Sequence, residues 1–146
     1  MFSLTKDQQH AVQQAVNNRC VFITGPAGTG KSVLIRHLYY DTFPLQKVHL
    51  CSSTGISAFN IGGMTVHSFI ARLPLKEGHP LWLPILSNDV IIIDEVSMLG
   101  KTIFEELSDA LQKRFRVSGK PFADLKMIFV GDFAQLPPVD DAFCFQ

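Results

Sequence analysis

Three strings in this 146-residue chain combine residue types suited to phosphate chemistry. The first is Gly25-Pro26-Ala27-Gly28-Thr29-Gly30-Lys31-Ser32, which fits the Walker A pattern in full. Its small residues let backbone N–H groups turn inward around an anion, and the helix that follows adds its positive N-terminal end. Lys31 can reach the terminal phosphates of a nucleotide, and the Ser32 hydroxyl can ligate Mg²⁺. The rival reading is a mere tight turn. The string lies between a strand and a helix, the context the motif requires, and that weighs against the turn.

The second string is Val90-Ile91-Ile92-Ile93-Asp94-Glu95, an apolar strand ending in two carboxylates. Beside a phosphate loop this suits Walker B chemistry: Asp94 holds Mg²⁺ directly or through water, and Glu95 orients and deprotonates the attacking water. Without the upstream motif, an ordinary strand cap would be the better reading. The third is Gly131-Asp132-Phe133-Ala134-Gln135-Leu136-Pro137-Pro138. It places Gln135, a neutral donor and acceptor, at a neighbouring strand end. There Gln135 either senses the γ-phosphate or the attacking water, or is a plain loop glutamine.

These residues need a scaffold that brings strand ends together. Apolar periodicity predicts a helix over 4–18, a buried strand over 20–24 and a helix over 31–40. A second strand follows at 47–52, then two short helical pieces within 54–73 that break at Gly62-Gly63. Residues 74–88, with three prolines and a glycine, read as a loop. The strand at 89–93 is continuously apolar, as a strand buried on both faces should be. Residues 100–116 form the clearest amphipathic helix: Ile103, Phe104, Leu107, Ala110, Leu111 and Phe115 make its stripe, and Glu105, Asp109 and Lys113 its wet side. A last strand covers 126–130. The alternation predicts an α/β fold, a mainly parallel sheet with helices on both faces, in one domain over 1–146 with ligands at the strands' carboxyl ends.

Composition agrees with one compact domain, since 47% of residues are apolar and 18% charged. The longest purely aliphatic run, Val90-Ile91-Ile92-Ile93, is far short of the ~20 residues of a membrane helix, so no membrane partner is expected. The first four residues lack the basic start and long apolar stretch of a signal peptide. Cys20, Cys51 and Cys144 form neither a disulfide framework nor a metal site, and are expected to be buried thiols in an intracellular, reducing compartment. Zero net charge speaks against a purely electrostatic nucleic-acid binder. Yet residues 1–80 hold 7 basic and 3 acidic side chains, net +4, and residues 81–146 hold 6 and 10, net −4. An anion-binding surface therefore belongs mainly to the first half.

Taken together, the strings resemble the Pif-type (petite integration frequency) DNA helicases of superfamily one, the 5′-to-3′ branch. GPAGTGKS, IIIDEVSML and GDFAQLPPV look like motifs I, II and III, and residues 54–69, TGISAFNIGGMTVHSF, look like the motif Ia region. Residues 111–122 resemble the family's signature stretch, whereas Ala123-Asp124-Leu125 departs from its usual Gly-Gly-aliphatic. The resemblance implies a RecA-like P-loop NTPase lobe that binds ATP and Mg²⁺. The sites it implies are Gly25, Pro26, Ala27, Gly28, Thr29, Gly30, Lys31 and Ser32 on the nucleotide, with Ser32 and Asp94 on the metal and Glu95 and Gln135 in the chemistry. It implies that Gln8 reads the adenine edge, although Thr5-Lys6-Asp7-Gln8 is also a capping box.

It further implies that Thr54, Gly55, Thr65, His67 and Ser68 touch single-stranded DNA near duplex junctions. Local rivals stand beside these roles: Thr65 as a helix N-cap, His67 as a packed histidine, and Phe59 and Phe69 as core. Trp82 reads as packing, and Arg114 and Arg116 as helix-end charges or as DNA or inter-domain contacts. Such helicases need a second RecA-like lobe, whose motifs are not in these 146 residues, so the chain is expected to be a first motor lobe, binding nucleotide but poorly active alone. Two other readings stay open: a stand-alone P-loop phosphotransferase, against which the Asp94-Glu95 pair argues, and a catalytically idle nucleic-acid-binding or regulatory module.

Overall fold

A computed structural model describes residues 4–24, 31–43 and 47–131. Gly25–Gly30 of the phosphate loop, Gln135 and Cys144 lie outside these. The described residues form one five-stranded sheet in the order β1-β5-β4-β2-β3, with every pairing parallel. The strands are β1 (Cys20–Thr24), β2 (Val48–Ser52), β3 (Met64–Thr65), β4 (Val90–Asp94) and β5 (Lys126–Gly131). The helices are α1 (Lys6–Asn17), α2 (Lys31–His37), α3 (Gly55–Ile61), α4 (Val66–Arg72) and α5 (Lys101–Phe115). This is the expected RecA-like architecture, with helices on both faces.

The apolar run of β4 has a direct cause. Successive strand residues point to opposite faces, so Ile91 and Ile93 pack with Phe69, Phe104, Leu107 and Leu111 from α4 and α5. Val90 and Ile92 pack on the other face with Ala15, Leu34, Ile35 and Leu38. The four aliphatic residues of β4, Val90 to Ile93, are fully buried, each contributing about 2 kcal/mol relative to exposure. The α5 stripe is as expected, with Phe104, Leu107 and Leu111 buried, while Glu105, Asp109 and Lys113 face water.

Several expectations change. The α-helical part of α2 ends at His37 and continues as a wider π turn, Leu38–Thr42. A two-residue strand, β3, lies between the two motif Ia helices. Gly63 permits it, since a Cβ there would lie 2.3 Å from the Leu50 carbonyl oxygen. Phe59 is not core but 84% exposed, because α3 has only two turns at the sheet edge and turns Ala58 inward instead. Phe69 is core, at 0% exposure. Cys51 is a buried free thiol, and burial pushes its pKa to about 12. Cys20 is disulfide-bonded, not a thiol.

Arg114 is neither a solvated helix-end charge nor an outward contact. It donates to the Leu73 and Leu83 carbonyls at 2.8 and 2.5 Å and lies over the Trp82 ring. With Lys47 donating to Pro84 at 2.7 Å, it fastens the 74–88 loop to α5 and β2. Trp82 accordingly packs, while Arg116 is exposed at the α5 C-cap. Ala123 and Asp124, where the family's usual residues are glycines, adopt left-handed backbone at φ 53° and 65°. The departure noted in the sequence therefore falls where a side chain is disfavoured.

His49 of β2 is buried and donates from Nε2 to Asp89 Oδ2 at 2.8 Å. Burial holds its pKa below the ordinary value, outweighing the opposing pull of the Asp89 hydrogen bond and charge; Lys47 adds to the lowering. A histidine lowered in the folded state favours folding by staying neutral. Its contribution is complete above pH 6.5, the unfolded value, and is lost as pH falls below it. Chemical denaturation between pH 7.5 and 5 should show this loss, and His49→Gln should flatten that part of the profile. At the left-handed turn, Asp124→Gly should raise stability by about 1 kcal/mol, visible as a Tm higher by a few degrees.

Candidate active site

The site is built from the ends of β4 and β2 and the start of α2. Lys31 and Ser32 open α2; Lys31 is half-buried and Ser32 exposed. Ser32, Asp94 and Glu95 line one cleft of about 630 Å³, with Arg36, Tyr39 and Tyr40 of α2 and its π turn on one wall and α3 on another. Asp94 Oδ1 accepts the Glu95 N–H at 2.9 Å. Burial pushes the Asp94 carboxyl above its usual range. The Glu95 charge adds to this, and the Glu95 N–H and the Lys31 charge pull the other way.

Glu95 has left-handed backbone, φ 53°, which costs a non-glycine residue about 1–2 kcal/mol. The 3₁₀ turn Val96–Met98 follows it directly. Gly131 at the end of β5 abuts this turn; a Cβ there would sit 3.0 Å from Val96 Cγ1 and 3.2 Å from the Ser97 nitrogen. The β5 end thus supports the backbone that carries Glu95.

The residues expected at nucleic acid fall at the same end of the sheet. In the parallel register Ser52 pairs with Asp94 on one side and Thr65 on the other. Two strand spacings, about 10 Å, therefore separate the two groups. Thr54 caps α3 by accepting the Ser57 N–H at 3.2 Å, and Gly55 is exposed. Thr65 caps α4, accepting the Ser68 N–H and donating to Ser68 Oγ, both at 3.1 Å. The N-cap reading of Thr65 holds. His67 is exposed, so it is not a packed histidine.

At the other edge, the Thr5–Gln8 capping box forms in full: Thr5 Oγ1 accepts the Gln8 N–H at 3.1 Å, and Gln8 Oε1 accepts the Thr5 N–H at 2.9 Å. Lys126 ties the far end of α1 to β5, donating to the Ala15, Val16 and Asn18 carbonyls at 2.7, 3.1 and 2.7 Å.

Sequence reasoning missed Ser52 and Ser53. The Ser52 hydroxyl donates to the Asp94 carbonyl at 3.3 Å, and the Ser53 hydroxyl to Glu95 Oε2 at 3.4 Å. Their signal was faint: two hydroxyls at a strand end, just ahead of Thr54. Among the described residues no cluster of three or more His, Cys, Asp or Glu can hold a metal. The donors present are the Ser32 hydroxyl and the Asp94 carboxylate. These hard oxygen ligands fit Mg²⁺, which usually takes one or two protein ligands and completes its shell with phosphate and water.

The chain is 35% identical to the ATP-dependent DNA helicase PIF1 of Saccharomyces cerevisiae, over 93% of this chain and 17% of that protein. It is 34% identical to the human protein of the same name, over 98% and 24%. The chain thus spans a quarter or less of the length of these curated relatives. Among solved structures, the Candida albicans Pif1 helicase superposes with a TM-score of 0.72 at 32% identity, over 99% of this chain and 36% of that one. Bacteroides Pif1 helicase in complex with ADP-AlF3 and ssDNA gives 0.73 at 27% identity, over 97% and 35%. The PIF1-like helicase family model matches residues 3–142, and the chain belongs to that family.

Proposed function

We propose that this chain is the first motor lobe of an ATP-dependent 5′-to-3′ DNA helicase, working on single-stranded DNA at duplex junctions within the cell. The carrying observation is the register at Ser52 of β2, which sets the Asp94-Glu95 pair at the end of β4 on one side and Thr65 at the end of β3 on the other, at one end of the sheet. Nucleotide chemistry at the end of β4 can thereby be felt, through β2, by nucleic-acid contacts just beyond β2 and β3. The Bacteroides Pif1 helicase solved in complex with ADP-AlF3 and ssDNA supports the pairing of these two ligands.

In this reading Lys31 grips the terminal phosphates, and the backbone of Gly25–Gly30 surrounds them. Ser32 and Asp94 would hold Mg²⁺, which when bound neutralises phosphate charge and orients the leaving group. Glu95 takes the proton of the attacking water, and Gln135 reports the γ-phosphate to the DNA-facing loops. Thr54, Gly55, Thr65, His67 and Ser68 hold the strand, mainly through its phosphates. A second RecA-like lobe closes over the nucleotide and supplies an arginine finger to the phosphate charge of the transition state; alternate closing and release step the pair along the strand. The retained Lys31, Asp94 and Glu95 argue against an idle module.

Three outcomes test this. The 146-residue chain alone binds Mg–nucleotide but turns it over slowly, since an absent arginine finger typically costs 10³–10⁵ in rate. Hydrolysis by it at the rate of a complete two-lobed helicase, with DNA present, would contradict a lobe that needs a partner; a small stimulation of a slow rate would not. In an equilibrium titration with a fluorescent ATP analogue, Lys31→Ala weakens binding by about tenfold or more, the loss of a charge-assisted phosphate contact. In an ATP-versus-GTP competition assay, Gln8→Ala lowers the preference for ATP; unchanged selectivity would leave Gln8 only its capping role.

A further inference from the structure

Three consecutive residues at the end of β2 do three connected things. Ser52 holds the register against Asp94 and Thr65. Ser53, half-buried, donates from its hydroxyl to Glu95 Oε2 at 3.4 Å. Thr54 caps α3, and Gly55 lies exposed beside it with open space where a side chain would project. Ser53 therefore stands between the proposed DNA contact and the proposed general base, with one peptide bond on the DNA side and one hydrogen bond on the other.

Glu95 is also the residue here with least backbone freedom to spare. Its left-handed backbone is held at the N–H by Asp94 Oδ1 at 2.9 Å, and its carboxylate accepts the Ser53 hydroxyl. The donated hydrogen bond occupies one lone pair of Oε2 and fixes the direction in which the carboxylate faces, so it competes with water for that oxygen. At 3.4 Å the bond is long and hence weak, so a small displacement of Ser53 breaks it.

We propose that Ser53 is a positioning residue that latches Glu95 and releases it when single-stranded nucleic acid engages Thr54 and Gly55. This inference rests on the motor-lobe reading above. A phosphate drawn onto the Thr54-Gly55 backbone pulls Ser53 with it. The Glu95 carboxylate loses its donor and is left to water. Hydrolysis is restrained until a strand is in place, with no arginine or second lobe needed to sense it.

The test follows the Glu95 carboxyl ¹³C resonance in ¹³C-glutamate-labelled chain, assigned by its loss in Glu95→Gln, with oligothymidylate as the probe. Fluorescence anisotropy of a labelled oligothymidylate sets saturation. The expected result is that saturating probe moves the wild-type resonance to the position that Ser53→Ala shows without probe. Ser53→Ala then stays put on adding probe, and Ser53→Thr, which keeps the hydroxyl, behaves as wild type. In parallel, Ser53→Ala raises the probe-independent ATP turnover about three- to tenfold, the worth of one hydrogen bond, and shrinks the stimulation by probe. A wild-type resonance unmoved at saturation, an equal movement in Ser53→Ala, or a slower basal rate in Ser53→Ala would each overturn the latch while leaving the motor reading intact. Failure of oligothymidylate to bind at any concentration would instead remove the DNA reading, and the latch with it.

Discussion

Strand β4 is covered on both faces and paired on both edges, and it ends in two carboxylates. That combination is the constraint on which the rest depends. Its four aliphatic residues are fully buried and lock the strand between β5 and β2. Asp94 then emerges half-buried at a fixed height, with its carboxyl pushed up by desolvation. A carboxylate there is poorly solvated and incompletely balanced by Lys31, which is the condition a divalent cation relieves. Moving it one residue along the strand would bury it in one of the two cores or release it to solvent.

The carboxylate position imposes demands on its neighbours. Glu95 accepts a left-handed backbone so that the chain can turn sharply off the strand. Gly131 is bare because β5 must pass against that turn, and Gly63 because the chain passes against Leu50 before β3 can pair with Cys51 and Ser52. These close approaches cluster around the carboxyl ends of the strands. The amino ends rely on polar anchoring instead: the buried His49–Asp89 pair, the Lys47 bond to Pro84, and Arg114 on the 74–88 loop.

Basic side chains are used differently from what a charge count suggests. Arg19 donates to the Asp124 carbonyl at 2.6 Å, and Lys47, Arg114 and Lys126 also spend their donors on backbone carbonyls. Two of these, Arg19 and Lys47, belong to the basic first half. Part of its net +4 is thus committed to holding the fold, leaving fewer cations for phosphates. This fits the proposed contact with a strand through hydroxyls and backbone more than through a basic surface.

Much of this was legible in the residues. Strand-sized apolar runs, the α5 stripe and the 74–88 loop follow from local periodicity and turn chemistry, which depend on nearest neighbours along the chain. The Walker strings were readable for the same reason, since Lys31-Ser32 and Asp94-Glu95 are local signals with a fixed chemistry. What the sequence by itself determined, then, was the list of main elements, β3 and the π turn aside, and the candidate reacting groups. Only the tertiary structure decided which strand lies beside which. It set Ser52 between Asp94 and Thr65, placed Ser53 on Glu95, turned Phe59 outward and made Arg114 a staple. Each of these depends on contacts between residues tens of positions apart, and no pattern within one element encodes them.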